Sequence, residues 1–70
     1  MRIVEITKEP VELFKILKFE GLVASGGESK AVIDAGQVQV NGKVETMKRK
    51  KIVAGDVIEY KNEKLQISKK

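Results

Sequence analysis

Gln37-Val38-Gln39-Val40-Asn41-Gly42-Lys43-Val44-Glu45 alternates polar and apolar residues up to an Asn-Gly pair and then returns through a second short apolar pattern. Alternation with period two puts Val38 and Val40 on one face of a strand. Asn-Gly accepts the positive φ that a two-residue hairpin turn demands at both central positions. The stretch therefore predicts a β-hairpin with one buried face, and the flanking sequence has to supply what covers it.

Upstream the period changes. Leu13, Ile16 and Leu17, with Phe14 beside them, recur at helical spacing, and Gly21 is the natural stop. Thr7-Lys8-Glu9-Pro10 reads as the helix entry, with Pro10 in the first turn and Glu9 and Glu12 set against the positive end of the dipole. Leu22-Val23-Ala24 is an apolar connector. It leads into Ser25-Gly26-Gly27-Glu28, a capping box in which Ser25 accepts from the Glu28 N–H and the Glu28 carboxylate reaches back to the Ser25 N–H. A second helix follows, with Ala31, Val32, Ile33 and Ala35 as its inward face and Gly36 as its end. Ahead of both helices, Arg2-Ile3-Val4-Glu5-Ile6 is rich in β-branched residues and predicts an edge strand.

Downstream of the hairpin, Thr46 to Lys51 is almost without apolar side chains and predicts a basic loop or a twisted strand extension, after which Ile52-Val53 rejoins the apolar pattern. Turns at Gly55-Asp56 and Lys61-Asn62-Glu63 separate strands at Val57-Ile58-Glu59-Tyr60 and Leu65-Gln66-Ile67. The sum is an α+β fold: two packed helices on one face of a small, mostly antiparallel sheet of about four to five short strands. One domain spans residues 1–70, since a chain of 70 residues has room for a single core.

Composition narrows the chemistry. The sequence has no cysteine and no histidine. Disulfides, thiolate and imidazole metal ligands and the commonest general base are thereby removed, and no cofactor or metal is expected. A nucleophile would have to be a serine, threonine or lysine, and Ser25 and Ser29 are explained by a helix start. Asp34 and Asp56 fall in a helix and a turn with nothing to bring them together. No catalytic residue is expected. No apolar run approaches the roughly 20 residues that cross a bilayer, and the N-terminal residues lack the apolar centre of a signal peptide, so the expectation is a cytoplasmic monomer.

Charge is asymmetric. Residues 1–36 carry five Lys/Arg against six Asp/Glu, whereas residues 37–70 carry nine against four, so the net charges of −1 and +5 make up the total of +4. Four consecutive like charges, Lys48-Arg49-Lys50-Lys51, repel one another and need an external reason to persist in a small folded domain. A phosphate backbone supplies one. Phe14 and Phe19 fall in a helix and Tyr60 is the only aromatic in a strand, so the aromatic platform that stacks unpaired bases is missing, and the expected grip is on backbone and shape. Ser25-Gly26-Gly27 at a helix start is a possible phosphate cradle, although the Glu28 carboxylate competes for the same niche.

The order Leu13-x-Lys15-Ile16-Leu17-Lys18-Phe19-x-Gly21-Leu22-Val23-x-Ser25, then Glu28, Ile33, Gly36-x-Val38-x-Val40-Asn41-Gly42 and finally Gly55-Asp56-x-Ile58-x-Tyr60 resembles the RNA-binding domain of the ribosomal protein S4 type, the αL RNA-binding motif. The resemblance covers about residues 10–67, roughly the whole core of the domain. It implies a surface of two packed helices and a following hairpin loop set against structured RNA, with Lys15, Lys18, Lys30, Lys43, Lys48, Arg49, Lys50 and Lys51 as RNA-binding residues. It further implies likeness to small free-standing bacterial members acting on ribosomal RNA, the ribosome or its precursor. Two positions where many members carry arginine are here Glu12 and Gly26, which leaves more of the grip to Lys48–Lys51. Two other classes fit less well. A β-grasp carrier protein would end in Gly-Gly rather than Ser68-Lys69-Lys70, and an adaptor for an acidic protein partner would share the basic surface but not the motif order.

Overall fold

The computed structural model describes residues 1–70. Chain order is β1 (Arg2–Ile6), β2 (Val11–Glu12), α1 (Leu13–Phe19), α2 (Gly26–Asp34), β3 (Val38–Val40), β4 (Lys43–Val44), β5 (Lys51–Ile52), β6 (Val57–Tyr60) and β7 (Glu63–Lys69). The main sheet has five strands in the order β1-β7-β6-β3-β4, and β2 and β5 form a separate two-stranded pair. Every pairing is antiparallel except β1 with β7, which run parallel with Val4 opposite Ile67. The fold is α+β, as expected from the sequence, and β1 lies at an edge.

Strand alternation decides the core. Val4 and Ile6, Leu65 and Ile67, Ile58 and Tyr60, and Val38 and Val40 each sit two apart on their strands, and all eight are buried. They share one cluster with Leu13, Ile16 and Leu17 of α1, Ile33 of α2, Val23 of the connector and Ile52 of β5. Tyr60 is thus a core residue and not a free stacking surface. The Asn41-Gly42 turn has φ of 54° and 84°, the double positive value of a type I′ turn, and Val40 pairs with Lys43 across it.

Both helices close in the same way. Gly21 (φ 72°) donates to the Lys18 carbonyl while Leu22 donates to that of Leu17. Gly36 (φ 77°) donates to Ile33 while Gln37 donates to Val32. These are Schellman motifs, and their left-handed residue is glycine because a Cβ would be strained there.

Four local expectations are corrected. Pro10 does not open α1: the Glu9–Pro10 peptide is cis and Pro10 leads into the extended Val11–Glu12, held by pairing with Lys51–Ile52. Helix geometry therefore starts only at Leu13, Glu12 is an N-cap residue without a side-chain cap, and no acidic residue occupies the first turn. In the second helix, Ser25 does accept from the Glu28 N–H (3.1 Å), but the Glu28 carboxylate accepts from Ala24 N–H instead of that of Ser25. Ala31 and Ala35 are exposed. The inward face of α2 is Ser29 and Ile33, spaced by four, with Val32 half-buried. Ser29 tolerates full burial because its hydroxyl donates to the Phe14 carbonyl at 2.7 Å, tying α2 to α1.

Candidate nucleic-acid interface

The basic loop after β4 is stitched to the start of α1. Leu13 N–H donates to the Lys50 carbonyl (2.9 Å) and Phe14 N–H to the Lys48 carbonyl (3.1 Å), so the first two helical N–H groups are satisfied by loop backbone. Lys50 N–H donates to Met47 (3.1 Å), and Met47 N–H to the Glu45 carboxylate (3.1 Å). A segment with almost no apolar content is thereby held in place, and with it the direction of its side chains.

What this anchoring assembles is a ring of cations. The Lys30 ammonium lies 4.7 Å from the Phe14 ring centroid, the Arg49 guanidinium carbon 5.8 Å and the Lys15 ammonium 5.9 Å. Three chain segments, α1, α2 and the loop, meet at one half-buried aromatic. Glu12 stands at the margin, its carboxylate 3.1 Å from Lys15 and 3.5 Å from Arg49, and its backbone opposite Lys51 in the β2–β5 pair. The hydrogen bond from Lys15, followed by the charges of Lys15, Arg49 and Lys51, holds this carboxyl below the usual carboxylate range.

The structure divides the run of residues 48–51. Arg49 turns to Phe14, Lys51 enters β5 beside Glu12, and half-buried Lys50 lines a shallow depression with Val40, Asn41, Lys43, Val44 and Glu45. Lys43 therefore groups with Lys50 and not with the Phe14 ring. Lys48 is exposed in the loop and Lys18 is exposed on α1, three residues on from Lys15. At the start of α2, the Ser25 hydroxyl and the Glu28 carboxylate already serve local N–H groups. Space remains there: a Cβ on Gly26 would meet nothing within 4 Å, and one on Gly27 would meet only the Ser25 hydroxyl, at 3.8 Å.

Two members of the cluster, Glu12 and Phe14, have no binding role in the sequence pattern. The Glu12–Lys15 pair has the i,i+3 spacing of a helical ion pair, a legible signal. Phe14 carries none, because Lys30 and Arg49 reach it only through the packing of α2 and the loop. Asn41 and Asp56, part of the motif order, prove to be structural. Asn41 donates through its amide nitrogen to Asp56 (3.1 Å) and accepts from Val57 N–H (2.9 Å), while Asp56 accepts from Val53 N–H (3.0 Å). Arg2 is likewise committed, to Glu63 at 2.8 Å and to the Glu20 carbonyl at 2.9 Å.

Comparison with known proteins agrees with this architecture. The S4 domain family profile matches residues 4–68. The chain is 47% identical over 57 residues, 81% of either protein, to the Escherichia coli K12 protein named "Putative RNA-binding protein YbcJ", and equally so to "Uncharacterized protein YbcJ" of Shigella flexneri. It superimposes on the solution structure of Escherichia coli YbcJ, described as revealing an αL motif involved in RNA binding. The TM-score is 0.74 at 42% identity, with 97% of this chain and 87% of that one covered.

Proposed function

Since this chain belongs to the S4 domain family, we propose that it is a non-catalytic protein that binds structured RNA, ribosomal RNA or a ribosome-associated RNA, by its phosphate backbone. The observation that carries the reading is the convergence of Lys15, Lys30 and Arg49 on Phe14, with Lys48, Lys50 and Lys51 on the same anchored loop and strand. Cations on segments fixed by backbone hydrogen bonds lose little freedom on meeting phosphates, and each phosphate neutralised releases condensed counterions. Lys43 extends the surface past the β3–β4 hairpin, and Lys18 extends it along α1. Phe14 lies beneath cations, Tyr60 is buried, and Phe19, exposed at the end of α1, stands outside the cation cluster, so no aromatic platform accompanies the cations and the contact is with backbone and helical shape rather than with stacked unpaired bases. The absence of histidine and cysteine from the sequence supports a binding role without chemistry. A cytoplasmic monomer is the state consistent with such a role.

Replacing Lys48, Arg49, Lys50 and Lys51 together with alanine tests the proposal. Affinity for a structured RNA hairpin should fall, and its log–log dependence on salt should flatten by about 0.7–0.9 for each phosphate no longer neutralised. The melting temperature should change little, because the loop is held by main-chain bonds. Unchanged affinity and slope would remove the loop from the interface.

A further inference from the structure

A second surface lies along the outer edge of the sheet. The carbonyl of Ile6 accepts from Lys70 N–H (2.9 Å), so the N–H and C=O groups of Arg2, Val4 and Ile6 face β7. Alternation then turns those of Ile3 and Glu5 outward, along an edge with no neighbouring strand. Beside this edge a cleft of about 330 Å³ runs between β1 and α1, its apolar part made by Val4, Ile6, Val11, Ile16 and Phe19. Phe19 is 70% exposed and Ile3 67%, both large apolar side chains left to solvent in a small domain. Of the charged groups at its margin, Glu20 is paired with Arg2 at 3.5 Å, whereas Glu5, on the outward side of the strand, is a carboxylate with no ion-pair partner.

From this edge, cleft and charge we infer that the β1 edge is a docking site for an extended segment of another protein in which apolar and basic residues alternate. A strand added to β1 inherits its parity. Its inward side chains continue the row of Val4 and Ile6 and fill the cleft against Phe19, and its outward side chains lie beside Ile3 and Glu5, where lysine or arginine meets the carboxylate. RNA suits the site less, because it offers a bare strand edge, an apolar cleft and the Glu5 carboxylate rather than a cluster of cations. A second copy of this chain suits it less, since antiparallel pairing of two β1 strands would bring two Glu5 carboxylates onto one face.

The test uses the full isotope-labelled chain and short synthetic peptides alternating lysine with valine, leucine or phenylalanine, beside matched peptides with glutamate in place of lysine. The basic peptides should shift the amide resonances of Ile3, Glu5 and Phe19. Glu5→Lys should weaken their binding by on the order of tenfold through charge reversal at close range, and Phe19→Ser should weaken it without altering RNA affinity. An RNA hairpin added to the same sample should instead move Lys15, Lys30 and residues 48–51, so the fates of the two surfaces are read separately. Absence of shifts along β1 with every basic peptide, or equal binding of the glutamate peptides, overturns the inference.

Discussion

Phe14→Leu isolates the placement of charge from its amount. The substitution keeps an apolar side chain over the α1–α2 junction and leaves Lys15, Lys30 and Arg49 in the sequence, but it removes the ring to which they are drawn at 5.9, 4.7 and 5.8 Å. A cation over an exposed aromatic face gains about 0.5–1 kcal/mol, and only Lys30 lies well inside the roughly 6 Å limit. Without the ring, Lys30 and in part Arg49 must be ordered when RNA binds, at about 0.5–1.5 kcal/mol for each long side chain. A net loss of about 1 kcal/mol corresponds to roughly fivefold weaker binding. The number of neutralised phosphates is unchanged, so the salt slope should stay at the wild-type value, whereas Arg49→Ala should lower it by about 0.7–0.9. Fluorescence anisotropy of a labelled RNA hairpin across a salt series measures both quantities, and thermal unfolding monitors the fold. Wild-type affinity in Phe14→Leu would refute the role assigned to the ring. A slope reduced as in Arg49→Ala would show that the ring sets how many phosphates are met rather than how they are met.

Three other outcomes follow from the geometry. The carboxyl of Glu12 is held below its ordinary value of 4.5 in the folded chain, so just below that pH the unfolded state binds more protons; the stabilisation is complete above this range and is lost as pH falls through the folded value. Urea titrations between neutral and acid pH should show a smaller acid loss in Glu12→Gln. Gly26 has open space at its Cβ position at the start of α2, so Gly26→Arg should fold normally and raise RNA affinity with a salt slope steeper by about 0.7–0.9. Asn41→Ala removes the hydrogen bonds to Asp56 and Val57 at a residue with φ of 54°, and should destabilise the domain by about 1–3 kcal/mol in chemical denaturation while leaving the RNA salt slope unchanged.

Much of the fold is legible in local chemistry. The alternation of Val38 and Val40, the Asn41-Gly42 turn, the glycines after both helices and the Ser25 cap act over a few residues, and the structure contains each of them. Sequence and structure part where a distant segment overrides the local signal. Thr7-Lys8-Glu9-Pro10 has the pattern of a helix entry, but β5 captures Val11–Glu12 as a strand. Ala31 and Ala35 have the spacing of an inward face, yet the sheet and α1 meet α2 along Ser29 and Ile33 instead, and small alanines at the rim lose little by exposure.

By itself, the sequence determined that the chain would be an α+β domain, that its positive charge would lie in residues 37–70, and that histidine and cysteine chemistry was excluded. Tertiary structure alone decided which charges act together. Residues 48–51 are consecutive in sequence but divided in space, because hydrogen bonds from Leu13 and Phe14 to the loop carbonyls fix the loop, with Arg49 and Lys51 beside Glu12 and Lys50 in the depression with Lys43. Lys15, Lys30 and Arg49 are far apart in the chain yet meet at Phe14, because helix packing, fixed partly by the Ser29 hydroxyl on the Phe14 carbonyl, sets their positions. The parallel pairing of β1 with β7, which leaves Ile3 and Glu5 facing outward, belongs to the same class. It joins the two ends of the chain, a pairing that no local pattern encodes.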